Sequence, residues 1–307
     1  MGCPLCQAVR TTPVERSRAQ MVPPPAREWF SFVRCLNCGL IRLDPPVPAR
    51  EQVRYYGDDY LPHRGPAAWG RYGRLVAWSR RREDGRKLRW ARRAHRLGLG
   101  TRVLDFGCGL PTFLARVREA TGAECVGLDP TPGAWQDQDP RWNGLRLRRS
   151  TLSEVGPEGP FDLITAWHVL EHDDRPLETL SRLRALTVNG GALIVEVPDY
   201  SSLTRRLQGS CWAGWSTPRH AFAFTPATLR RLLETAGWRV RRLARHGSMD
   251  PHVLWWLGRQ ERRGRDLSGS LENRFFSFLA GKVATAPLFA LSRVVPMGIQ
   301  LVIATPD

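Results

Sequence analysis

Residues 103–111 of the chain read VLDFGCGLP, and this stretch decides the fold. An apolar strand carries one acid, Asp105, close to its end, and two glycines, Gly107 and Gly109, follow it. Glycine has no side chain, so the backbone can approach a ligand closely, and the helix predicted from Pro111 onward presents free amides there. The stretch therefore predicts a ligand-binding loop between a strand and a helix.

Strand-like and helix-like segments alternate on both sides of this loop. Alternation of this kind builds a mainly parallel sheet with helices on both faces, and a ligand then binds at the carboxyl ends of the strands. The predicted fold class is α/β and Rossmann-like. We expect strands at 102–106, 124–129, 145–147, 161–167, 192–197, 238–243 and 298–304, and helices at 111–121, 177–187 and 225–236.

Two acids at strand ends indicate the charge of the ligand. Asp105 would repel a pyrophosphate but attracts a cationic amino group, and Asp129 can accept hydrogen bonds from both hydroxyls of a ribose. S-adenosylmethionine is a nucleoside that carries such a cation. A nicotinamide-dependent dehydrogenase is the rival interpretation, because Gly107, Gly109 and Asp129 partly match its fingerprint. However, Thr112 stands at the third glycine position of that fingerprint.

Together these motifs resemble the class I S-adenosylmethionine-dependent methyltransferases. The resemblance continues through residues 161–172, FDLITAWHVLEH, and covers roughly 1–60 and 100–245. It is greatest to a bacterial branch in which a two-knuckle cysteine module precedes the catalytic domain and a Pro-Arg-His segment, here 218–220, follows the fifth strand. The resemblance implies a seven-stranded, mainly parallel sheet whose last strand, 298–304, is antiparallel.

The resemblance also implies which residues bind the cofactor. Asp105, Gly107 and Gly109 would contact its methionine part, and Asp129 its ribose. Further contacts are implied for Thr151 and Leu152 beside the adenine, and for Trp167 and His168 in the pocket after the fourth strand.

Pro111 is one departure from the pattern of the family, which usually has a third glycine at this position. Proline is favourable as a first helical residue, but it has no amide to donate to a carboxylate. The substitution predicts weaker cofactor binding and leaves a noncatalytic scaffold open as an alternative.

Methyl transfer needs donor and acceptor held in line in a dry pocket, and it needs a base only if the acceptor must lose a proton. Imidazole titrates near neutral pH, so His172 and His220 are the candidate catalytic residues. Either ring is also explained as one that caps an element or pins a loop. Arg219 is interpreted as an anion-binding residue or as an ion-pair partner.

Four cysteines form two Cys-x-x-Cys pairs, Cys3 with Cys6 and Cys35 with Cys38. Each pair can hold two thiolates on one ion, Gly39 favours the second knuckle, and four sulfurs in tetrahedral geometry suit Zn²⁺. The pattern predicts a structural zinc site, and two unrelated thiol pairs are the alternative.

The motifs divide the chain into four parts. A zinc-ribbon-like module (1–48), a helical connector (49–99) and an S-adenosylmethionine-binding methyltransferase domain (100–249 with 297–307) account for most of it. The fourth part, 250–296, is a helical insertion where a tight hairpin would suffice. Lys282, Pro287 and Arg293 interrupt its apolar run, which argues against a spanning helix.

The insertion has two interpretations. It is a lid or a dimer surface, or it is an amphipathic element that lies on a membrane, which Trp255, Trp256 and the basic run 259–265 favour.

The formal net charge is +17, and only Lys87 and Lys282 are lysines. Such an arginine excess also arises from the base composition of a genome, so the charge alone does not establish an acidic partner. The leading hypothesis is methylation of a small-molecule acceptor, for example a sugar or a lipid-linked precursor. The alternative is a nucleic-acid-associated protein that uses the cysteine module and the arginine-rich surface.

Residues 1–20 carry charges and prolines rather than the apolar core of a signal peptide. We therefore expect a cytoplasmic protein, with membrane association through 250–296 as a further option.

Overall fold

The computed structural model describes residues 2–22, 28–56, 64–130, 135, 139–152 and 159–307. Within these residues the strands are β1 (Thr11–Arg18), β2 (Trp29–Cys35), β3 (Ile41–Leu43), β4 (Arg102–Phe106), β5 (Glu124–Leu128), β6 (Arg146–Arg148), β7 (Phe161–Trp167), β8 (Thr187–Pro198), β9 (Phe222–Ala223), β10 (Trp238–Ala244) and β11 (Ile299–Pro306). The helices are α1 (Ala49–Gln52), α2 (Gly73–Ala94), α3 (Thr112–Thr121), α4 (Pro176–Ala185), α5 (Leu203–Gln208), α6 (Pro226–Thr235), α7 (Pro251–Arg262) and α8 (Phe275–Ala290).

The larger sheet has seven strands in the order β10-β11-β8-β7-β4-β5-β6. The five strands from β8 to β6 in this order are parallel, and β11 is antiparallel to both of its neighbours. The chain winds from β4 outward through β5 to β6 and then returns to β7 on the other side of β4. The winding reverses between β4 and β7, so a ligand-binding crevice forms at their carboxyl ends. The predicted fold class is confirmed.

The central strands are mostly apolar because helices cover both faces of the sheet. Leu163, Ile164, Leu193 and Ile194 are completely buried, each with 0% exposure. Strand β8 begins at Thr187, before the predicted start at residue 192, and its register with β7 shifts between the pairs Phe161–Thr187 and Leu163–Ala192.

Two helix starts show how local sequence determines an element boundary. Thr225 caps α6 with a complete capping box shared with Thr228, as its position before Pro226 predicts. Pro111 is the N-cap of α3 rather than its first helical residue. The carbonyl of Pro111 accepts the amide of Ala115 at 3.0 Å, so the proline ends the glycine loop and starts the helix.

The N-terminal strands form a second sheet, β1-β2-β3-β9, which takes its last strand from the methyltransferase region. Ile41 pairs with Ala223, and Phe32 packs on Trp215 with ring centroids 4.4 Å apart. The cysteine module therefore shares a sheet and a core with the catalytic part of the chain.

Helices α7 and α8 form the predicted helical insertion and pack on the segment before α2. Trp69 is the centre of this contact, because its ring lies 6.2 Å from Trp256 and 5.5 Å from Phe278. Pro287 does not interrupt α8. The 22 residues Glu272–Arg293, with a mean hydropathy of 1.4 and 6% burial, are long and apolar enough to cross a membrane.

Candidate active site

The glycine loop between β4 and α3 lies at the carboxyl edge of the parallel sheet. Gly107 and Gly109 have positive φ angles of 69° and 49°, which glycine adopts without steric cost. A Cβ on Gly107 would lie 2.4 Å from Cγ2 of Val169, whereas a Cβ on Gly109 would meet nothing within 4 Å. The loop is thus packed on the turn after β7 on one side and open to a ligand on the other.

Asp129 follows β5 directly and is held by the same loop. The amide of Gly109 donates to Oδ2 of Asp129 at 2.8 Å, and the acid is 7% exposed. The structure therefore brings these two predicted cofactor residues together at one edge of the sheet, and their contacts with the cofactor stay a prediction.

Asp105 on β4 is a buried acid with 2% exposure. Oγ1 of Thr165 on β7 donates to Oδ1 of Asp105 at 2.6 Å. Burial raises the pKa of Asp105 to about 7, although Thr165 and the charge of Lys87 act in the opposite direction. A cation bound beside this carboxyl would favour its charged form, so the proton and the cation compete for it.

Lys87 of α2 is a candidate cofactor-binding residue that sequence reasoning missed. Its Nζ lies 5.4 Å from the ring centroid of Trp167 and 3.8 Å from Oε1 of Glu83. Burial lowers the pKa of Lys87, but Glu83, Asp84 and two further acids outweigh it and raise the pKa. An ammonium group at this place can pair with the carboxylate of an amino-acid ligand. The sequence offered one signal for this residue: Lys87 is a lysine in a segment whose other basic residues are arginines.

The predicted adenine contacts follow β6, where Thr151 is exposed and Leu152 is buried in the main core. Trp135 is closer to the glycine loop, because its Nε1 donates to the carbonyl of Gly109 at 2.9 Å. It is an aromatic neighbour of the candidate cofactor site that sequence reasoning missed.

Trp167 and His168 lie at the end of β7, and their side chains differ in role. Trp167 packs edge-on against Phe113 of α3, with ring centroids 5.5 Å apart. Nε2 of His168 lies 2.9 Å from Oε1 of Glu196, and Nδ1 lies 3.5 Å from Oε1 of Glu171. Burial lowers the pKa of His168, but the two carboxylates raise it to about 10. The two carboxylates therefore favour the charged form of His168, which is partly buried and links β7 to β8.

Glu171, His172 and His220 form a cluster in which one ligand atom of each residue lies within 4.8 Å of the others. Glu171 is 1% exposed, and neither of its carboxylate oxygens has a hydrogen-bond partner among the described residues. Nε2 of His220 lies 4.0 Å from Oε1 of Glu171. The His168 ring, 3.5 Å from Oε1, compensates the charge only in part, and Oε2 is left without a hydrogen bond among the described residues, so the cluster offers a place for a donor group from a ligand. Two imidazoles and a carboxylate also suit a divalent cation.

The two histidines of the cluster are neutral at pH 7. Burial lowers the pKa of His172 to about 4 and lowers the pKa of His220 well below its ordinary value. Nδ1 of His220 donates to the carbonyl of Gly214 at 2.9 Å, so its Nε2 carries the lone pair that faces the cluster. Nδ1 of His172 lies 2.8 Å from the hydroxyl of Tyr56. Both rings are therefore in the state that accepts a proton.

Arg219 lies in the loop that carries His220, and main-chain carbonyls hold its guanidinium. Its side chain is 0% exposed and donates from Nη1 to the carbonyl of Tyr55 at 3.0 Å and from Nη2 to the carbonyl of Gln20 at 2.7 Å. The guanidinium ties the N-terminal segments to the loop that carries His220.

The four cysteines of the N-terminal module lie together. Sγ of Cys3 is 3.5 Å from Sγ of Cys38, Sγ of Cys6 is 3.6 Å from Sγ of Cys35, and all four sulfurs lie within 4.8 Å of one another. A zinc ion with Zn–S bonds of about 2.3 Å places tetrahedral sulfurs roughly 3.8 Å apart. The donor set and its spacing therefore fit zinc.

Sequence comparison identifies the class of the protein. Residues 78–243, more than half of the chain, match the family model described as Methyltransferase domain, and the chain belongs to this family. This part of the chain is a methyltransferase domain of the S-adenosylmethionine-dependent class. The predicted enzyme class and organic cofactor are confirmed.

Curated relatives differ in the acceptor that their names give. The chain is 33% identical over 107 residues to trans-aconitate 2-methyltransferase of Methylobacterium nodulans, which covers 34% of the chain and 40% of the relative. It is 30% identical to a ubiquinone biosynthesis O-methyltransferase of Azorhizobium caulinodans, over 47% of this chain and 61% of the relative. It is 34% identical to a tRNA U34 carboxymethyltransferase of Syntrophotalea carbinolica (36% of each). The chain thus spans about a third to three fifths of these relatives.

Solved structures show the same fold at low identity. The [4+2]-cyclase SpnF superimposes with a TM-score of 0.55 at 16% identity, over 85% of this chain and 98% of that one. The putative methyltransferase from the Haloferax volcanii complex with the Trm112 activator gives a TM-score of 0.50 at 16% identity, over 79% and 97%. At these identities the likeness concerns the fold alone.

Proposed function

We propose that the enzyme methylates an oxygen or nitrogen atom of a small-molecule acceptor, such as a sugar or a lipid-linked precursor. The observation that carries this proposal is the buried Glu171 carboxylate, which forms no hydrogen bond among the described residues, has only the His168 ring at 3.5 Å as a charged neighbour, and lies beside His172 and His220. A hydroxyl or amine of the acceptor would supply a hydrogen-bond donor.

The cluster lies next to the candidate cofactor loop. Val169, two residues before Glu171, is the side chain that a Cβ on Gly107 would strike. An acceptor that donates to Glu171 would therefore lie beside a ligand held by the glycine loop. Nearness and alignment of the two reactants account for a large part of the rate that an enzyme of this kind provides.

Bound S-adenosylmethionine supplies an electrophilic methyl group. Under the proposal, Asp105, Gly109 and Asp129 hold it at the carboxyl edge, and Lys87 pairs with its carboxylate. Glu171 orients the acceptor and takes its proton. Nε2 of His220 then accepts a hydrogen bond from the protonated carboxyl, which its neutral state allows.

His172 shapes the same pocket from the other side. Its ring centroid lies 4.4 Å from that of His220, and its Nδ1 shares a hydrogen bond with the Tyr56 hydroxyl. This pair places a phenol at the edge of the cluster, where it can contact an acceptor.

The depth of the cluster supports a small acceptor rather than an intact nucleic acid. Glu171 and His220 are 1% and 7% exposed. A base within a folded RNA would have to leave its stack to reach them, which costs a few kcal/mol.

Labelled methyl transfer tests the proposal. The protein is incubated with S-adenosylmethionine labelled in its methyl group and with cell extract separated into polar, lipid and RNA fractions. We expect label in the polar or lipid fraction, and at least about tenfold less with Glu171→Gln at unchanged cofactor affinity. Glu178→Gln, an exposed carboxylate on α4, is the matched control. Label in RNA alone would refute the proposal.

We also propose that Zn²⁺ occupies the four-cysteine site and is structural. All four ligands come from the protein, which closes the coordination sphere to a substrate.

A further inference from the structure

Helix α8 presents an apolar surface to its surroundings. Phe276 (63% exposed), Leu279 (42%) and Val283 (67%) recur at helical spacing, and Leu291 (52%) and Val294 (85%) continue the row past the end of the helix. We call these five residues the apolar stripe. A monomeric soluble protein seldom exposes a continuous row of this length, so the stripe marks an interaction surface.

The opposite face of α8 is the one that packs on the protein. Phe275 and Phe278 contact Trp69, with ring centroids 6.3 and 5.5 Å apart. Lys282 is the single charged residue of α8, and its Nζ lies 2.6 Å from Oδ2 of Asp250. The helix therefore directs its one charge inward and its apolar side chains outward, which reverses the usual arrangement of a surface helix.

The apolar stripe continues onto α2. The ring of Tyr72 stacks on Phe275 at 4.1 Å and meets Phe276 edge-on at 5.4 Å. One turn and two turns further along α2 lie Leu75 and Trp78, which are 55% and 57% exposed. Tyrosine and tryptophan are enriched where an apolar surface meets the water boundary of a bilayer.

A basic cavity adjoins the far end of the stripe. It has a volume of about 310 Å³. Arg293, which lies between Leu291 and Val294 of the stripe, lines it. The other arginines of its lining are Arg86, Arg89, Arg93 and Arg245.

Acids outside the lining neutralise only part of the charge of these arginines: Asp199 pairs with Arg245 at 2.8 Å, and Arg86, Arg89, Arg93 and Arg293 form the rest of the basic lining. Asp250 is the one carboxylate among the described lining residues, and Lys282 already pairs with it. Burial and the neighbouring guanidinium groups of Arg293, Arg242 and Arg93 lower the pKa of His246, another lining residue. The cavity is therefore a place of positive potential that fits a phosphate group.

We propose that the apolar stripe and the basic cavity together form a docking surface for an anionic phospholipid membrane. The stripe enters the boundary between headgroups and acyl chains, and the arginines of the cavity bind lipid phosphates.

The geometry favours a helix that lies on the membrane rather than one that spans it. Lys282, near the middle of this apolar segment, forms an ion pair with Asp250 and so holds the segment against the body of the protein. The face with Phe275 and Phe278 is also occupied by protein contacts. The charges favour a bilayer over a second copy of this chain, because an anionic surface complements the arginine-lined cavity whereas a second chain also carries a net charge of +17.

Vesicle sedimentation tests the docking surface. The full-length protein is mixed with vesicles of phosphatidylcholine alone or of phosphatidylcholine mixed with phosphatidylglycerol. We expect it to sediment with the mixed vesicles. Val283→Asp should lower the partition coefficient by about tenfold or more, because it places a charge in the apolar stripe. Val9→Asp makes the same change at a valine of the cysteine module that is 75% exposed, and it should have no effect.

A second pair of variants tests the cavity. Arg89→Gln combined with Arg293→Gln should reduce binding to the mixed vesicles by about fivefold for each charge removed. Arg10→Gln combined with Arg231→Gln removes the same charge from other surfaces and is the control. Circular dichroism melting verifies that each variant is folded, and Val283→Ser replaces Val283→Asp if that variant is not.

Two results would overturn the proposal. One is vesicle binding that Val283→Asp and the Arg89/Arg293 variant leave unchanged relative to their controls. The other is a dimer, seen by light scattering, that Val283→Asp dissociates while wild type fails to bind either vesicle, which would assign the stripe to a second copy.

Discussion

At the scale of single residues, the carboxyl edge of the sheet combines acids of different character. Asp129 accepts the amide of Gly109 at 2.8 Å, while Asp105 is buried, accepts from Thr165 and has a pKa of about 7. The first is suited to neutral hydroxyl donors. The second gains most from a ligand that brings a positive charge.

Asp129→Ala tests the ribose contact. We expect the dissociation constant for S-adenosylmethionine to rise about 10- to 100-fold, because hydrogen bonds to a charged acceptor contribute about 1.5–3 kcal/mol. Isothermal titration calorimetry measures this value. Asp174→Ala removes an exposed carboxylate and should leave the dissociation constant unchanged. Equal affinity of wild type and Asp129→Ala would remove Asp129 from the cofactor site.

The raised pKa of Asp105 predicts a pH dependence of stability. The folded protein retains the proton of Asp105 up to about pH 7, whereas the unfolded chain releases it near the ordinary value of 3.8. Because the folded state binds more protons in this window, the contribution of Asp105 to the free energy of unfolding falls as the pH rises from about 4 to 7.

Urea denaturation of wild type and Asp105→Asn at pH 5 and pH 8 measures this effect. We expect the variant to gain about 1–3 kcal/mol relative to wild type between the two pH values. A difference that does not change with pH would place the pKa of Asp105 near its ordinary value.

At the scale of elements, the two glycines of the loop between β4 and α3 have different structural roles. Gly107 is needed for packing, since a Cβ would strike Val169 at 2.4 Å, and Gly109 faces open space. Sequence reasoning predicts both glycines from the pattern after the strand. It does not distinguish them, because Val169 is distant in the chain.

Alanine at each glycine separates the two roles. Gly109→Ala should cost about 1–2 kcal/mol of stability from its positive φ and should weaken cofactor binding at least about tenfold. Gly107→Ala should be less stable than Gly109→Ala, because it adds the clash with Val169. Thermal unfolding measures the stability of the two variants, and calorimetric titration measures their cofactor affinity. The interpretation fails if Gly109→Ala binds the cofactor as wild type does.

The cysteine module is tested by its metal content. Cys35→Ser should lose most of the bound zinc and lower the melting temperature by several degrees, since structural zinc contributes to folding. Cys211→Ser changes a partly exposed cysteine outside the four-sulfur cluster. This variant should retain the bound zinc and the wild-type melting temperature. Elemental analysis and calorimetry measure the two quantities. Wild-type protein purified without any metal would contradict the zinc assignment.

At the scale of the whole molecule, the charge of +17 is spread over a surface rich in arginine. Some of these arginines are structural, as Arg219 shows, and others line the basic cavity. Net charge is therefore a poor guide to the acceptor. A basic surface attracts any polyanion, and that attraction weakens with salt because counterions are released on binding.

Electrophoretic mobility shift with tRNA tests this view. We expect weak binding that falls at least tenfold between low and physiological salt and that does not differ between tRNA species. A tRNA-specific complex that survives physiological salt would favour the nucleic-acid alternative over a small acceptor.

The sequence predicted most elements of the larger sheet to within a few residues. The strands at residues 102–106 and 161–167, for example, agree with β4 and β7. Apolar runs and turn residues act over a few positions, so their effect on the backbone is readable locally. The extension of the N-terminal sheet by β9 was not predicted, because two residues of strand form only where Ile41 and Arg42 supply a partner.

The sequence by itself determined the order of strands and helices, the glycine loop, the acids at the strand ends and the two Cys-x-x-Cys pairs. Each of these depends on side-chain spacing or backbone freedom within a short segment. Only the tertiary structure decided that the Glu171 carboxylate forms no hydrogen bond among the described residues, that His168 is held by Glu196, that Lys87 lies over the ring of Trp167 and that α8 turns its apolar face outward. These properties depend on which faces of distant elements meet, and no local pattern encodes that contact.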